Sequence, residues 1–273
     1  MTPAREIAAA KINLALHVRG RRDDGRHDIE TVFAFCIDGD RLEGQFHPGA
    51  GAGFALEIDG PFAGDLEGTN LIEKAWDALR SRVGEVSNGY TRLVLEKNLP
   101  VASGLGGGSA DAAAALRLLT SLWSIDLAHA SAAAPRLGAD VPACLLSMSA
   151  RGSGAGDVLE LIHDPRIAGA PVLLVNPLLP LSTGEVFARW DGEDRGPLGD
   201  WREGRNDLEA AARSLVPQIG EVLDWLRARD GASFVRMSGS GASCFALFDS
   251  DEARDAAAEA VPEQWWRLAT KLR

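Results

Sequence analysis

Residues 99–119, LPVASGLGGGSADAAAALRLL, constrain this 273-residue chain more than any other stretch. Four glycines, Gly104, Gly106, Gly107 and Gly108, strip a loop of side chains, and the loop runs through Ser109 into an alanine- and leucine-rich helix. Glycine lets backbone N–H groups turn toward a ligand and lets the ligand come close. A helix N-terminus adds unpaired donors and the positive end of a dipole, so the unit is suited to holding phosphate. Ser109 is expected as the helix N-cap, with a hydroxyl to offer a phosphate oxygen or a metal. A plain turn entering a helix would explain a lone glycine pair. Four glycines ahead of a long apolar helix favour phosphate binding.

The loop is neither of the two commonest phosphate loops. A Walker A motif places lysine before its Ser/Thr, whereas Gly108 is followed directly by Ser109. A dinucleotide fingerprint needs a third glycine where Ser109 stands, in the turn directly after a strand. Here the strand-like Thr91–Lys97 is separated from the glycines by Asn98–Ser103.

Composition narrows the class further. Hydrophobic residues at 46% and charged residues at 25% describe a globular chain with ample core. A net charge of −11 argues against nucleic acid, which needs clustered Lys and Arg. No apolar run reaches the ~20 residues of a membrane span, and the N-terminus lacks a signal-peptide core. Cys36, Cys144 and Cys244 show no C-x-x-C spacing, so free thiols in a reducing cytoplasm are expected, with no zinc site.

Along the chain, residues 4–18 and 29–37 read as strands joined by the charged, glycine-punctuated RGRRDDGRHD, and residues 41–60 suggest more strands. Asn70–Arg82 predicts an amphipathic helix with Leu71, Ala75, Trp76 and Leu79 on one face. Ala150–Leu161, dotted with glycine, is expected to be a domain junction. Ala170–Pro177 reads as a strand, and residues 191–205 as surface loop. Asn206 is expected to cap a helix, with Glu209 completing a capping box. Ser238–Ser243 forms a second small-residue loop between strand-like runs. Strands precede helices without strict alternation, which favours an α+β fold in two layers.

Several polar residues could carry chemistry, and each has a bland explanation alone. Lys11 in AAAKINLAL could be an edge lysine whose stem reaches water. Asp140 in LGADVP could be an N-cap with Pro142 inside the first turn. His27 could be a solvated loop residue.

Taken together, AKINLALHVRG, PVASGLGGGSA and MSGSGASCFALF, in that order, resemble the hallmark segments of the GHMP kinase superfamily, which includes galactokinase, homoserine kinase and mevalonate kinase. The blocks AKINLAL, DGRH, GLGGGSADAAAAL, LGADVP and NDLE are similar to the branch that phosphorylates a cytidylyl-linked polyol of non-mevalonate isoprenoid synthesis. The resemblance runs from residue 8 to about residue 250. It implies a two-domain fold: a domain like ribosomal protein S5 domain 2 over 1–158, with the ATP loop, and a ferredoxin-like domain over 159–273. It also implies ATP and Mg²⁺.

By the same resemblance, Lys11 and Asp140 match the catalytic pair. Asn70, Leu71 and Lys97 fall among the nucleotide contacts, with Pro100, Gly104, Leu105, Gly106, Gly107, Gly108 and Ser109 forming the loop. Asn13, Arg26, His27, Phe33, Thr183 and Phe187 fall on the acceptor side. These roles suit phosphoryl transfer, which asks for positioning and charge stabilisation. Asp140 can accept the acceptor's proton, or act by orientation alone, while Lys11 favours developing negative charge. The expected partners are small molecules only, with no nucleic acid and no membrane, for a cytoplasmic monomer or weak homodimer.

One block departs from the pattern. The family's Asp-Gly-Tyr-His is here Asp24-Gly25-Arg26-His27, so the aromatic stack on cytosine is replaced by a planar guanidinium. The alternatives are a GHMP kinase for another small alcohol, of mevalonate, homoserine or sugar type, and a nucleotide-binding module without catalysis. The presence of both Lys11 and Asp140 weighs against the last.

Overall fold

Eleven consecutive residues, 8–18, are buried in the first strand, which explains why it lacks a polar–apolar alternation. Ala8–Ala10, Ile12, Leu14, Leu16 and Val18 fill both faces, and Lys11, Asn13 and His17 are carried inward with them. The computed structural model describes residues 3–49, 51–66 and 68–273. Strand β1 (Ala4–Arg21) turns at Arg22–Arg26, where Arg22 N bonds to Arg26 O at 2.8 Å, and returns as β2 (His27–Pro48). β2 continues through Asp38–Asp40 without a break, so the expected strand at 29–37 and the first of those beyond residue 41 are one element.

Next come β3 (Gly53–Asp59), α1 (Leu71–Val83) and β4 (Gly89–Glu96). β3 and β4 pair in parallel, with α1 as their crossover. On α1 the buried residues are Ile72, Ala75 and Leu79, so the apolar face is rotated slightly from the expected one. Trp76 instead stacks on Phe54, with ring centroids 4.8 Å apart, and leaves Leu71 only partly covered. Three helices follow: α2 (Gly107–Leu122), α3 (Leu127–Ala133) and α4 (Val141–Leu146). α2 packs against α1, α3 and α4 through its fully buried Ala112–Ala115 run, whose small side chains admit close neighbours.

The glycine-dotted 150–161 stretch is a hairpin rather than a junction. β5 (Ala150–Ser153) and β6 (Val158–Leu161) pair antiparallel, and β5 pairs with the first half of β2. Its glycines serve the turn and the tight packing beside Phe33. Then come β7 (Pro171–Asn176), α5 (Thr183–Ala188), α6 (Glu209–Leu215), α7 (Gln218–Arg227), β8 (Ala232–Met237), β9 (Cys244–Phe248), α8 (Asp251–Glu259) and β10 (Trp266–Lys271). These strands form an antiparallel sheet in the order β10-β7-β9-β8, covered by α7 and α8. The β-α-β-β-α-β course is that of a ferredoxin-like domain. Its core includes Leu173, Val175, Ile219, Leu223, Met237 and Phe248.

The chain divides into two compact units that interleave along the sequence. The first comprises Met1–Ala10, Asp38–Val101 and Gly106–Ser147; the second comprises Lys11–Ile37, Ala102–Leu105 and Met148–Arg273. β1 and β2 contribute to both. The fold is α+β, as expected. All three cysteines are buried and outside any disulfide, and among the described residues no helix is long and apolar enough to cross a membrane.

Candidate active site

In the first unit, Gly106, Gly107 and Gly108 lead into α2, and Gly106 is the N-cap, in the left-handed region at φ 65°. Ser109 is therefore the third residue of the helix and not its cap, as expected above. The glycines themselves make the sharp entry that a serine cap would otherwise make. The first-turn N–H groups of Gly107, Gly108 and Ser109 have no partner within the helix, as in any helix, which leaves them for an anion. Leu71, at the start of α1, lies 3.6 Å from where a Cβ on Gly108 would stand. Asn70 caps α1 in a full capping box with Glu73. The first turns of α1 and α2 thus lie close together. Pro100 is buried at the loop's entrance.

Beneath this loop lies a cluster that sequence reasoning missed. β4 alternates inward at Thr91, Leu93 and Leu95, and the same period carries Lys97 inside. Its ammonium bonds to Asp40 and, at 2.9 Å, to Asp111 Oδ2. All three side chains are almost wholly buried. Asp40 also accepts from the backbone N–H groups of Asn98 (2.5 Å) and Leu99 (2.7 Å), which fixes the chain entering the loop. A Cβ on Gly107 would stand 3.1 Å from Lys97 Nζ, so the ammonium sits directly under the helix start. The backbone N–H and carbonyl of Lys97 are bonded to Asp59 and Phe62. The available signal was Asp111, a lone acid in a run of alanines.

Burial pushes the Asp111 carboxyl up to about 7, against the attraction of Lys97 and with added repulsion from Asp40. Burial also opposes charge on Lys97, but the two carboxylates outweigh it and hold the ammonium above the usual lysine range. A raised folded-state carboxyl contributes stability that is present at low pH and is lost as pH climbs through its folded value. The wild type should therefore lose on the order of 2 kcal/mol relative to Asp111→Asn between pH 5 and pH 8. Thermal unfolding of both proteins across that window checks this, and a flat difference would show Asp111 ionised throughout.

Asp140 precedes α4, with Pro142 in the first turn, yet its side chain makes no capping hydrogen bond. The cap position is met and the capping function is not. Ser109 Oγ lies 3.9 Å from where a Cβ on Gly138 would stand, which puts this hydroxyl beside the turn that leads to Asp140.

In the second unit, Lys11 and Asn13 project from one face of β1. Lys11 is buried, not the water-reaching edge lysine of the simpler reading. Its Nζ bonds to Asn13 Oδ1 at 3.2 Å and lies 5.0 Å from the centroid of the Phe33 ring. Asn13 Nδ2 donates to Thr31 Oγ1 at 2.8 Å. The late loop closes against the same residues. Asn13 N donates to Ser238 Oγ at 3.2 Å, Ser238 Oγ donates to Gly104 O at 2.9 Å, and Lys11 N bonds to Leu105 O at 3.0 Å. Ser243 N bonds to Ser103 O at 3.0 Å. Asn206 ties this loop to the end of β8 by donating to Met237 O and Gly239 O. Its Oδ1 meanwhile accepts from Leu208 N at 3.0 Å just ahead of α6 (Glu209–Leu215), where Leu208 rather than Asn206 holds the cap position.

His27 opens β2 and packs its ring on Phe187 at 4.8 Å and edge-on to Trp190 at 5.7 Å. It is not a solvated loop residue. Its Nε2 is buried without a hydrogen-bond partner, and burial, with Arg21 adding, lowers its pKa below the usual histidine value. Trp190 Nε1 is likewise buried and unpartnered. Thr183 Oγ1 and Ser240 Oγ are 2.9 Å apart. Arg26 is exposed, its Nε and Nη2 both donating to Asp24 Oδ2. Asn13, Phe33, His27 and Phe187 thus lie within one unit, with Arg26 on the turn just ahead of His27.

Comparison with known proteins follows this geometry. The chain matches the GHMP kinases N terminal domain over residues 70–148 and the GHMP kinases C terminal region over 191–266. It is 52% identical to the 4-diphosphocytidyl-2-C-methyl-D-erythritol kinase of Rhizorhabdus wittichii, covering 98% of this chain and 94% of the relative. The chain belongs to that family of GHMP kinases. The family's kinase from Novosphingobium aromaticivorans is 51% identical over 98% of this chain and 93% of its own. A crystal structure of 4-(cytidine 5'-diphospho)-2C-methyl-D-erythritol kinase superposes with a TM-score of 0.83 at 34% identity, covering 98% of this chain and 99% of that one. The Methanococcus jannaschii mevalonate kinase shares the fold, with a TM-score of 0.72 at 10% identity, covering 100% and 99%. As a GHMP kinase, this chain uses ATP as a substrate.

Proposed function

We propose that this chain transfers the γ-phosphoryl group of ATP to the 2-hydroxyl of 4-diphosphocytidyl-2-C-methyl-D-erythritol, in the cytoplasm, as a step of methylerythritol phosphate isoprenoid synthesis. The observation that carries the reading is the full-length likeness to kinases of that name. The amides of Gly106, Gly107, Gly108 and Ser109, with the α2 dipole, take the phosphates, and Gly104, Leu105 and Pro100 set the loop's course. Asn70 and Leu71 meet the nucleoside, and Lys97 supports the loop from below, its ammonium and backbone being engaged already.

Among the described residues no three His, Cys, Asp or Glu side chains converge as a cage. That suits Mg²⁺, which keeps several waters and binds mainly through substrate phosphates. It would be carried by phosphate oxygens that the loop amides and the Ser109 hydroxyl orient, and would neutralise charge on the β- and γ-phosphates. Asp140 accepts the proton from the acceptor hydroxyl, and the Lys11 ammonium stabilises negative charge that builds on the oxygens in transfer. Asn13 and Phe33 hold Lys11. His27 offers its unpartnered Nε2 to the cytosine edge, Phe187 gives an apolar face, and Thr183 binds the polyol end. Arg26, held by Asp24 through its edge, keeps its planar face for the base. The nucleotide domain is assigned to the N-terminal part and its partner to the C-terminal part, with the boundary moved from 158/159, which would cut β6, to a point beyond Leu161. The enzyme works on small molecules as a monomer or weak homodimer, without nucleic acid or membrane.

The test is ATP consumption across a panel of alcohols containing the cytidylyl-methylerythritol substrate, mevalonate, homoserine and galactose. Turnover is expected with the first alone; comparable kcat/KM on another alcohol would reassign the acceptor. His27→Ala and Arg26→Ala should each weaken acceptor binding by ~1–3 kcal/mol, from a lost base-edge hydrogen bond and a lost stacking partner. Arg26→Tyr should keep or improve it, and ATP binding should not change. Wild-type acceptor affinity in both alanine variants would remove the base from this loop.

A further inference from the structure

One main-chain carbonyl dictates the direction of a hydrogen-bond chain that ends on Lys11. The Ala15 carbonyl can only accept, and Thr31 Oγ1 lies 2.6 Å from it, so the one hydroxyl proton of Thr31 is committed there. Toward Asn13, Thr31 must then act as acceptor, and Asn13 Nδ2 stands 2.8 Å away. With its NH₂ turned to Thr31, Asn13 presents Oδ1 to Lys11 Nζ. Lys11, Asn13 and Thr31 are all buried. An inverted Asn13 amide would set donors against the ammonium and acceptor against acceptor at Thr31, a mismatch that is expensive away from water.

We propose that Thr31 is a positioning residue for phosphoryl transfer. Its hydroxyl fixes which way the Asn13 amide faces, and through Asn13 Oδ1 it fixes where the Lys11 ammonium sits. The inference rests on the charge-stabilising role given to Lys11 above and extends it to a residue that acts only through others. Valine at this strand position keeps the shape and suits β structure but has no hydroxyl. It removes the Thr31 bond to Ala15 O and the acceptor for Asn13 Nδ2, and frees the amide to turn. Serine keeps the relay.

The experiment compares Thr31→Val and Thr31→Ser with wild type at saturating ATP and acceptor. Thr31→Val is expected to lower kcat by ~10–100-fold, the scale of a misplaced reacting group, with KM for ATP within about two-fold. Thr31→Ser should restore kcat to within about three-fold of wild type. In a Lys11→Ala background, Thr31→Val should cause no further loss, because the two act in series. Should Thr31→Val fail to fold in a thermal unfolding scan, Thr31→Ala, which also lacks a hydroxyl, carries the same expectation. Wild-type kcat in Thr31→Val, failure of serine to rescue, or an undiminished loss in the Lys11→Ala background would each overturn the relay. A wild type inactive on every alcohol of the panel would overturn the functional reading, and with it the role of Lys11. An active wild type with an equally active Thr31→Val overturns the relay alone.

Discussion

Asp140→Asn is expected to lower turnover by ~10² or more while ATP affinity stays within about two-fold, the usual consequence of removing a positioned proton acceptor. Asparagine preserves the size and planarity of the side chain but cannot take the proton. Because the Asp140 side chain does no capping for α4, the helix is expected to survive the change, and a thermal unfolding scan of the variant separates a loss of chemistry from a loss of fold. Steady-state kinetics with the cytidylyl acceptor give kcat, and titration with a non-hydrolysable ATP analogue gives the affinity. Near-normal turnover would leave Asp140 with an orienting role only.

Gly104→Ala should be the most damaging single-methyl change in the phosphate loop. At φ +77° the residue occupies the left-handed region, and an added Cβ would lie 2.5 Å from Ser238 O and 2.7 Å from Gly241 O. Those neighbours are backbone atoms, and Ser238 O is itself held by Gly241 N at 2.9 Å, so they cannot swing aside as a side-chain tip could. Strain and clash together should cost about 2–4 kcal/mol of stability and weaken ATP-analogue binding at least ~10-fold. Gly107→Ala is the control. There the added methyl meets the tip of the Lys97 side chain at 3.1 Å, with no positive φ to strain the backbone. Unfolding midpoints should therefore rank Gly104→Ala well below Gly107→Ala. The reverse ranking would mean that the late loop does not brace the phosphate loop.

What the sequence revealed of fold and site follows from how local each signal is. The phosphate loop, α1 and α2 are encoded by glycines, a capping pair and apolar periodicity within about twenty residues, and they were legible. Residues whose placement depends on distant partners were not. Ser109 yields the cap to Gly106, and Asn206 commits its amide N–H groups to Met237 and Gly239, 31 and 33 positions on. The 150–161 hairpin looked like a linker because its glycines serve packing beside Phe33, 119 or more positions earlier in the chain. Lys97 could be read as a basic residue near the loop, but Asp40, 57 positions away, decides where its charge goes. Thr31 gave no signal, because a threonine in a strand needs no special explanation.

The bracing of Ser103 and Gly104 by the late loop has a consequence for how the protein is made. The Gly104 carbonyl is bonded to a hydroxyl 134 residues further along the chain. At ~5–20 residues per second, the ribosome delivers that partner on the order of ten seconds after the glycines emerge. Throughout that interval the nascent chain displays the complete glycine motif without the frame that shapes it. A chain that stops short of Ser238 carries the motif without that frame, and is expected to hold nucleotide less well than the enzyme does.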